Sequence, residues 1–296
     1  MKQLSQMIAV LSMFVYAFPV HSDEAKPYTQ LEDVVFKESH GMGLVMDIFT
    51  PPGKGNGRGL IVAASGAWSS DRGKISDLGK GGVFDVFCGR GYHVFAIRPG
   101  SISRFSAADM TRHLEEGIKW VKGKAGQYGI DPEKLCLLGA SAGGHLASLV
   151  ALTTERQDPK TDATVAATGV FFPPTDFLDY GGQKLDPRKE DRMSQILARL
   201  AYGNREAVAE LDDDEIHKAT VAVSPARLVT KEAPPFLIIH GDADKAVPLQ
   251  QSQALLKALE EKGADAKLII KEGGGHPWPT IREEVAVMAD WFDENT

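Results

Sequence analysis

The sequence predicts an α/β fold, with a mostly parallel central sheet, helices on both faces and a short lid-like insertion. Three observations carry this. Short apolar runs alternate with helical stretches along most of the chain, the pattern of right-handed βαβ crossovers. The run Leu60-Ile61-Val62-Ala63-Ala64 is apolar without alternation, as expected of a strand buried on both faces. The rhythm breaks at residues 173–233, which are polar and rich in Asp, Lys and Arg.

Residues 1–22 read as a cleaved secretory signal. Lys2 gives a positive start, 7–18 form an apolar core, and Val20-His21-Ser22 places small residues before Asp23. An N-terminal anchor is the competing reading, but the run is shorter than the ~20 residues that a membrane span needs. Residues 23–296 are then one domain, long enough to bury a sizeable core. Residues 34–36 and 44–49 open the sheet as a strand pair around His40-Gly41-Met42-Gly43. A Gly/Pro-rich loop at 51–59 leads into the strand 60–64. A helix at 83–90 ends at Gly91, and 94–97 is the next strand. Met110, Leu114, Ile118 and Val121 repeat at helical spacing within 107–128. Asp131-Pro132 turns the chain into a strand at 135–138, followed by a helix over 145–152. Pro173-Pro174 stops the strand 165–172, and the insertion then carries helices at 192–202 and 205–218. Residues 236–239 and 266–270 are the last strands.

The composition is ordinary for a globular protein: 43% hydrophobic and 25% charged residues. A net charge of −7 argues against nucleic acid or an acidic membrane as partner. Cys88 and Cys136 are expected as buried free thiols, although an exported chain permits a disulfide. The Cys and His residues show no zinc-ligand spacing, and the chain has no Gly-rich phosphate loop. Neither a metal nor an organic cofactor is expected.

Gly139-Ala140-Ser141-Ala142-Gly143 lies between a predicted strand and a predicted helix. That setting is the nucleophile elbow of serine hydrolases, in which a strained turn exposes the hydroxyl. A serine hydroxyl needs a neutral imidazole to accept its proton. Of the eight histidines, His276 is favoured because it follows Gly273-Gly274-Gly275 after the last strand. The acid lies in His240-Gly241-Asp242-Ala243-Asp244, where Asp242 and Asp244 compete. All three groups follow strands at the carboxyl edge of the sheet, where such folds place their sites.

The order serine, acid, histidine is that of α/β-hydrolases. Gly-Ala-Ser-Ala-Gly-Gly-His-Leu-Ala at 139–147 resembles the elbow of hormone-sensitive-lipase-like and feruloyl/acetyl-xylan esterases. Residues 240–248, His-Gly-Asp-Ala-Asp-Lys-Ala-Val-Pro, resemble the acid loop that those esterases share with prolyl oligopeptidases. The resemblance covers about 31–296 and implies an α/β-hydrolase fold in which 173–233 is the lid. It implies Asp244 as the acid and leaves Asp242 to hold the loop through backbone hydrogen bonds. It also implies two oxyanion donors, one of them Ala142 N–H. Lipase-type esterases carry His-Gly-Gly-Gly-Trp after the third strand, where this chain has Ala64-Ser65-Gly66-Ala67-Trp68. Alignment on Trp68 makes Gly66 and Ala67 the donor candidates. Trp68 either walls the substrate pocket or simply packs. Arg98 or Arg104 meets an anionic substrate group, or else forms a surface or structural salt bridge. His145 and His240 are expected to be structural.

The expected activity is that of an exported carboxylesterase acting on small or carbohydrate-linked acyl esters through an acyl-enzyme. Activity is expected to fall in acid as the histidine base protonates. The alternatives are a serine peptidase like the prolyl oligopeptidases, and a non-catalytic binding protein on the same fold. The oligomeric state is not legible in the sequence.

Overall fold

The computed structural model describes residues 26, 28–155, 157–158, 160–203, 208 and 210–296. The expected signal at 1–22 lies outside them. The chain opens with an antiparallel pair, β1 (Thr29–Ser39) and β2 (Met42–Thr50). The other strands are β3 (Gly59–Ala63), β4 (His93–Arg98), β5 (Leu135–Ala140), β6 (Ala167–Phe171), β7 (Phe236–Gly241) and β8 (Ala266–Lys271). They form one sheet in the order β1-β2-β4-β3-β5-β6-β7-β8. β2 pairs antiparallel with β4, and every pair from β4 to β8 is parallel.

Alternation along the strands divides the core into two layers. Ile61, Leu137 and Ile238 face α3 (Ala107–Gly123), α5 (Ala142–Thr153) and α8 (Leu249–Glu261). Leu60, Cys136 and Leu237 face α2 (Val83–Gly89) and α9 (Ile281–Glu294). Because both faces are covered, β3, β6 and β7 are buried at every residue. Cys88 and Cys136 are buried and free; burial, then Asp85, pushes the Cys88 thiol up to about 12, so it is a packing group.

Three elements differ from expectation. A helix α1 (Arg72–Lys80) follows β3, started by Asp71, whose side chain accepts from Gly73 N. Ile75 is its one buried residue, so it carries no apolar period. The expected helix at 107–128 stops at Gly123, and a short α4 (Ala125–Tyr128) continues it. The insertion holds α6 (Arg192–Tyr202) as expected, but α7 runs Asp213–Ala222. Asp212 and Glu215 close a capping box at its start, which fixes that end. Of the expected stretch before it, residues 205–207 and 209 lie outside the described ones.

The turn from β5 into α5 brings backbone against backbone. A Cβ on Gly143 would run into Ala63 O, and one on Gly139 into Gly143 O. Neither obstacle is a flexible side-chain end. Gly143→Ala is therefore expected to cost at least about 3 kcal/mol of stability, read from urea unfolding.

Candidate active site

Ser141 stands between β5 and α5 with φ 53° and ψ −122°. A residue with a Cβ is strained there by roughly 1–3 kcal/mol. The surroundings hold it in place. Ser141 N donates to Phe171 O at 2.9 Å, and Ser141 O accepts from His145 N at 2.9 Å. Gly143 N donates to Ser65 O at 3.1 Å, tying the elbow to the loop after β3.

His276 follows β8 and reaches both partners. Its Nε2 lies 2.9 Å from Ser141 Oγ and its Nδ1 lies 2.6 Å from Asp244 Oδ2. An ionised carboxylate only accepts, so Nδ1 carries the hydrogen and Nε2 is left to accept from Ser141. The Asp244 side chain is fully buried. Its Oδ1 accepts from Ala246 N at 2.7 Å and Val247 N at 3.0 Å. His240 Nε2 lies 3.3 Å from Oδ2 and 3.0 Å from Val247 O, while Ser252 Oγ lies 2.7 Å from His240 Nδ1. Burial works to raise the Asp244 pKa, but the bonds from His240, His276 and the two amides outweigh it and hold the carboxyl well below its ordinary range. Asp242 instead accepts from Gly273 N at 2.7 Å, fastening its loop to the one that carries His276.

The loop after β3 is unusual in backbone. Ala67 and Trp68 both have positive φ, 48° and 55°. Gly66 N donates to Ser69 O at 3.0 Å and Ser69 N returns to Gly66 O at 2.9 Å. That closure engages the Gly66 N–H, which corrects the expectation that Gly66 offers a donor. Ala67 N–H and Ala142 N–H donate to no backbone carbonyl among the described residues.

Trp68 both packs and lines the cavity. It is 4% exposed, and its Nε1 donates to His145 Nδ1 at 3.0 Å. His145 Nε2 then donates to Val223 O at 2.8 Å. One buried imidazole thus joins the loop after β3 to the end of α7. Burial lowers the His145 pKa to about 4 from the ordinary 6.5, with the Val223 bond opposing. Between those values the unfolded chain binds the extra proton and the folded one does not. Stability is therefore full above about 6.5 and falls by about 3 kcal/mol as pH drops toward 4. His93 and His113, also lowered by burial, act in the same direction. His145→Phe leaves the Trp68 N–H and Val223 C=O buried and unpaired, at a cost of about 3 kcal/mol at pH 7. Urea unfolding from pH 7 to 4 checks both: the variant starts lower and loses less in acid.

In front of Ser141 lies a cavity of about 910 Å³. Ala67, Trp68, Phe172 and Trp278 line it from the sheet edge, and Tyr180, Met193 and Ile196 line it from the insertion. Arg98 is not among its lining residues. It pairs with Asp33 and lies 3.7 Å from the buried Asp47, beside Arg72, which reaches the same two carboxylates. The salt-bridge alternative is thus the one found for Arg98, because β2 brings Asp47 alongside β4. Arg104 is exposed. Sequence reasoning missed Tyr180, whose hydroxyl donates to Ala246 O at 3.1 Å, and the cavity cations Lys74, Lys80, Arg192 and Lys245. No motif marks Tyr180, Lys74, Lys80 or Arg192, since α1 and the insertion bring them there, whereas Lys245 sits inside the acid-loop motif itself. Among the described residues no group of three or more His, Cys, Asp or Glu is arranged to hold a metal. No described helix is long and apolar enough to cross a membrane.

The parallel sheet, the elbow serine and the loops at its carboxyl edge define an α/β-hydrolase. More narrowly, the chain belongs to the BD-FAE family, whose model matches residues 46–259. It is 27% identical over 248 residues to the probable carboxylic ester hydrolase LipM of Mycobacterium tuberculosis, covering 80% of this chain and 53% of LipM. Esterase LipQ of the same organism is 30% identical over 158 residues, 51% of this chain and 34% of LipQ. The chain thus spans about half or less of the length of these relatives. Among solved structures, a truncated carbohydrate esterase from gut microbiota superposes with a TM-score of 0.76 at 25% identity, covering 92% of this chain and 98% of that one.

Proposed function

We propose that the protein is a serine carboxylesterase that hydrolyses small or carbohydrate-linked acyl esters, with Ser141 as nucleophile, His276 as base and Asp244 as the orienting acid. The observation that carries this is the continuous hydrogen-bonded line from Ser141 Oγ through His276 to the buried Asp244.

Ser141 Oγ attacks the ester carbonyl as its proton passes to His276 Nε2. The oxyanion is met by the N–H groups of Ala142 and Ala67, fixed donors that need no reorganisation. As the C–O bond to the alcohol breaks, His276 gives its proton to the leaving oxygen. Water then attacks the acyl-Ser141 carbonyl, losing its proton to His276. The carboxylic acid leaves and the proton returns to Oγ. Asp244 stabilises the imidazolium in both halves. The cavity accommodates more than an acetyl group, which suits a bulky partner on one side of the ester. The likeness to a carbohydrate esterase supports the carbohydrate-linked substrate. Export rests on the composition of residues 1–22, and fractionation of expressing cells tests it.

The test of the activity is hydrolysis of p-nitrophenyl acetate, butyrate and octanoate by the chain without its signal. Turnover of the short esters, with the chain-length preference measuring the cavity, is the expected result. Turnover of none of them, alongside release of p-nitroanilide from aminoacyl substrates, moves the protein to the peptidases.

A further inference from the structure

The chain carries a net charge of −7, yet its active-site cavity is cationic. Lys74, Lys80, Arg192 and Lys245 line it against one carboxylate of the lining, Asp77. These residues come from separate places: α1 supplies Lys74 and Lys80, the first turn of α6 supplies Arg192, and the acid loop supplies Lys245. Asp77 lies 3.2 Å from Lys74 and 4.0 Å from Lys80. Arg192 and Lys245 have no carboxylate within 4.0 Å among the described residues, so their charges face the cavity unmatched. Lys74 lies against the loop after β3. A Cβ on Gly66 would stand 2.9 Å from its Cδ and 3.3 Å from its Nζ, so the ammonium stem crosses the loop that holds Ala67. Cations gathered at the mouth of a cleft concentrate anions there and favour the bound anion over a neutral isostere. Arg98, the cation that strand order brings to the active face, is already matched by Asp33 and Asp47 and has no part in this.

We propose that the preferred substrates are esters bearing an anionic group, such as a carboxylate, on the acyl or the alcohol portion, and that Arg192 and Lys245 receive it. This rests on the esterase reading and narrows it from esters in general to anionic ones.

The test uses two matched pairs: p-nitrophenyl butyrate against mono-p-nitrophenyl succinate, and 4-acetoxybenzamide against 4-acetoxybenzoate. The first pair places the charge on the acyl side and the second on the alcohol side. In at least one pair the anionic member is expected to have the higher kcat/KM at low salt, with the advantage shrinking at about 0.3 M salt, where the screening length is only several ångströms. In the double variant Arg192→Gln, Lys245→Gln the anionic-to-neutral ratio is expected to fall about tenfold, as two partly exposed ion pairs of modest strength allow. Because the ratio is taken within one protein sample, partial misfolding of the variant does not alter it. If neutral esters are hydrolysed and neither anionic member is preferred, or the ratio survives the double substitution, this inference falls and the esterase reading stands. If no ester of either kind is hydrolysed, the esterase reading itself fails and takes the inference with it.

Discussion

Ser141→Ala is expected to lower kcat for p-nitrophenyl acetate by about 10⁴-fold or more, because removing the nucleophile leaves only binding and the oxyanion donors. Labelling by a fluorophosphonate should vanish with it. A non-catalytic binding protein on this fold would show no labelling in the parent chain either, so the parent decides between the readings before the variant is made. The same position makes a stability prediction of opposite sign. At φ 53° and ψ −122°, serine and alanine share the strain of a Cβ, and glycine does not. The strain is roughly 1–3 kcal/mol, offset in part by the extra entropy of an unfolded glycine. Ser141→Gly is therefore expected to be as inactive as Ser141→Ala and more stable than it by about 1 kcal/mol in urea unfolding. If the two variants unfold together, the elbow is not under the strain its backbone indicates.

How legible each element was depends on where its determinants lie. The parallel strands could be read because burial on both faces demands unbroken apolar runs, and 60–64, 135–138 and 236–239 fall within one or two residues of β3, β5 and β7. Helix α1 could not, because two glycines and one buried side chain give it no period. The start of α7 is different: Asp212 and Glu215 spell a capping box, a signal that was available in the sequence. The structure brings Ser141, Asp244 and His276 together from three strand ends, and each lies in a motif with a mechanical reason for its spacing. The oxyanion loop was less legible. Alignment on Trp68 identifies the loop, but the choice between Gly66 and Ala67 depends on the small closure from Gly66 to Ser69 and on two positive φ angles. Arg98 shows the limit of reading from strand order. Order places it at the active face, but only pairing shows that β2 sets Asp47 beside it.

Asp244→Asn is expected to lower kcat by about 10³–10⁴-fold while Asp242→Asn stays within a few-fold of the parent, and the reason is the direction of each hydrogen bond. In Asp244→Asn the amide oxygen can still accept from Ala246 N and Val247 N, so the loop keeps its shape. The amide NH₂ then points at His276 Nδ1 and His240 Nε2, both donors in the parent. His276 relieves the clash by moving its hydrogen to Nε2, which now faces Ser141 as a donor and cannot take the serine proton. Activity is lost while the loop keeps its hydrogen bonds, and at pH 7 the variant starts less stable because it lacks the carboxylate's contribution. The acid limb of stability changes as well. Asp244 titrates lower in the folded chain than in the unfolded one. In that window the unfolded chain binds more protons, so the carboxylate's contribution is present above about pH 4 and lost as pH falls through the folded value. Asp244→Asn removes that dependence, and unfolding followed from pH 6 down to 2 should show a shallower fall. Asp242→Asn keeps an oxygen to accept from Gly273 N and touches neither histidine, so the charge it removes lies outside the line of proton transfer. If Asp242→Asn proves the crippling change and Asp244→Asn leaves kcat within tenfold, the acid has been assigned to the wrong residue, and the 2.6 Å contact to His276 is a structural bond only.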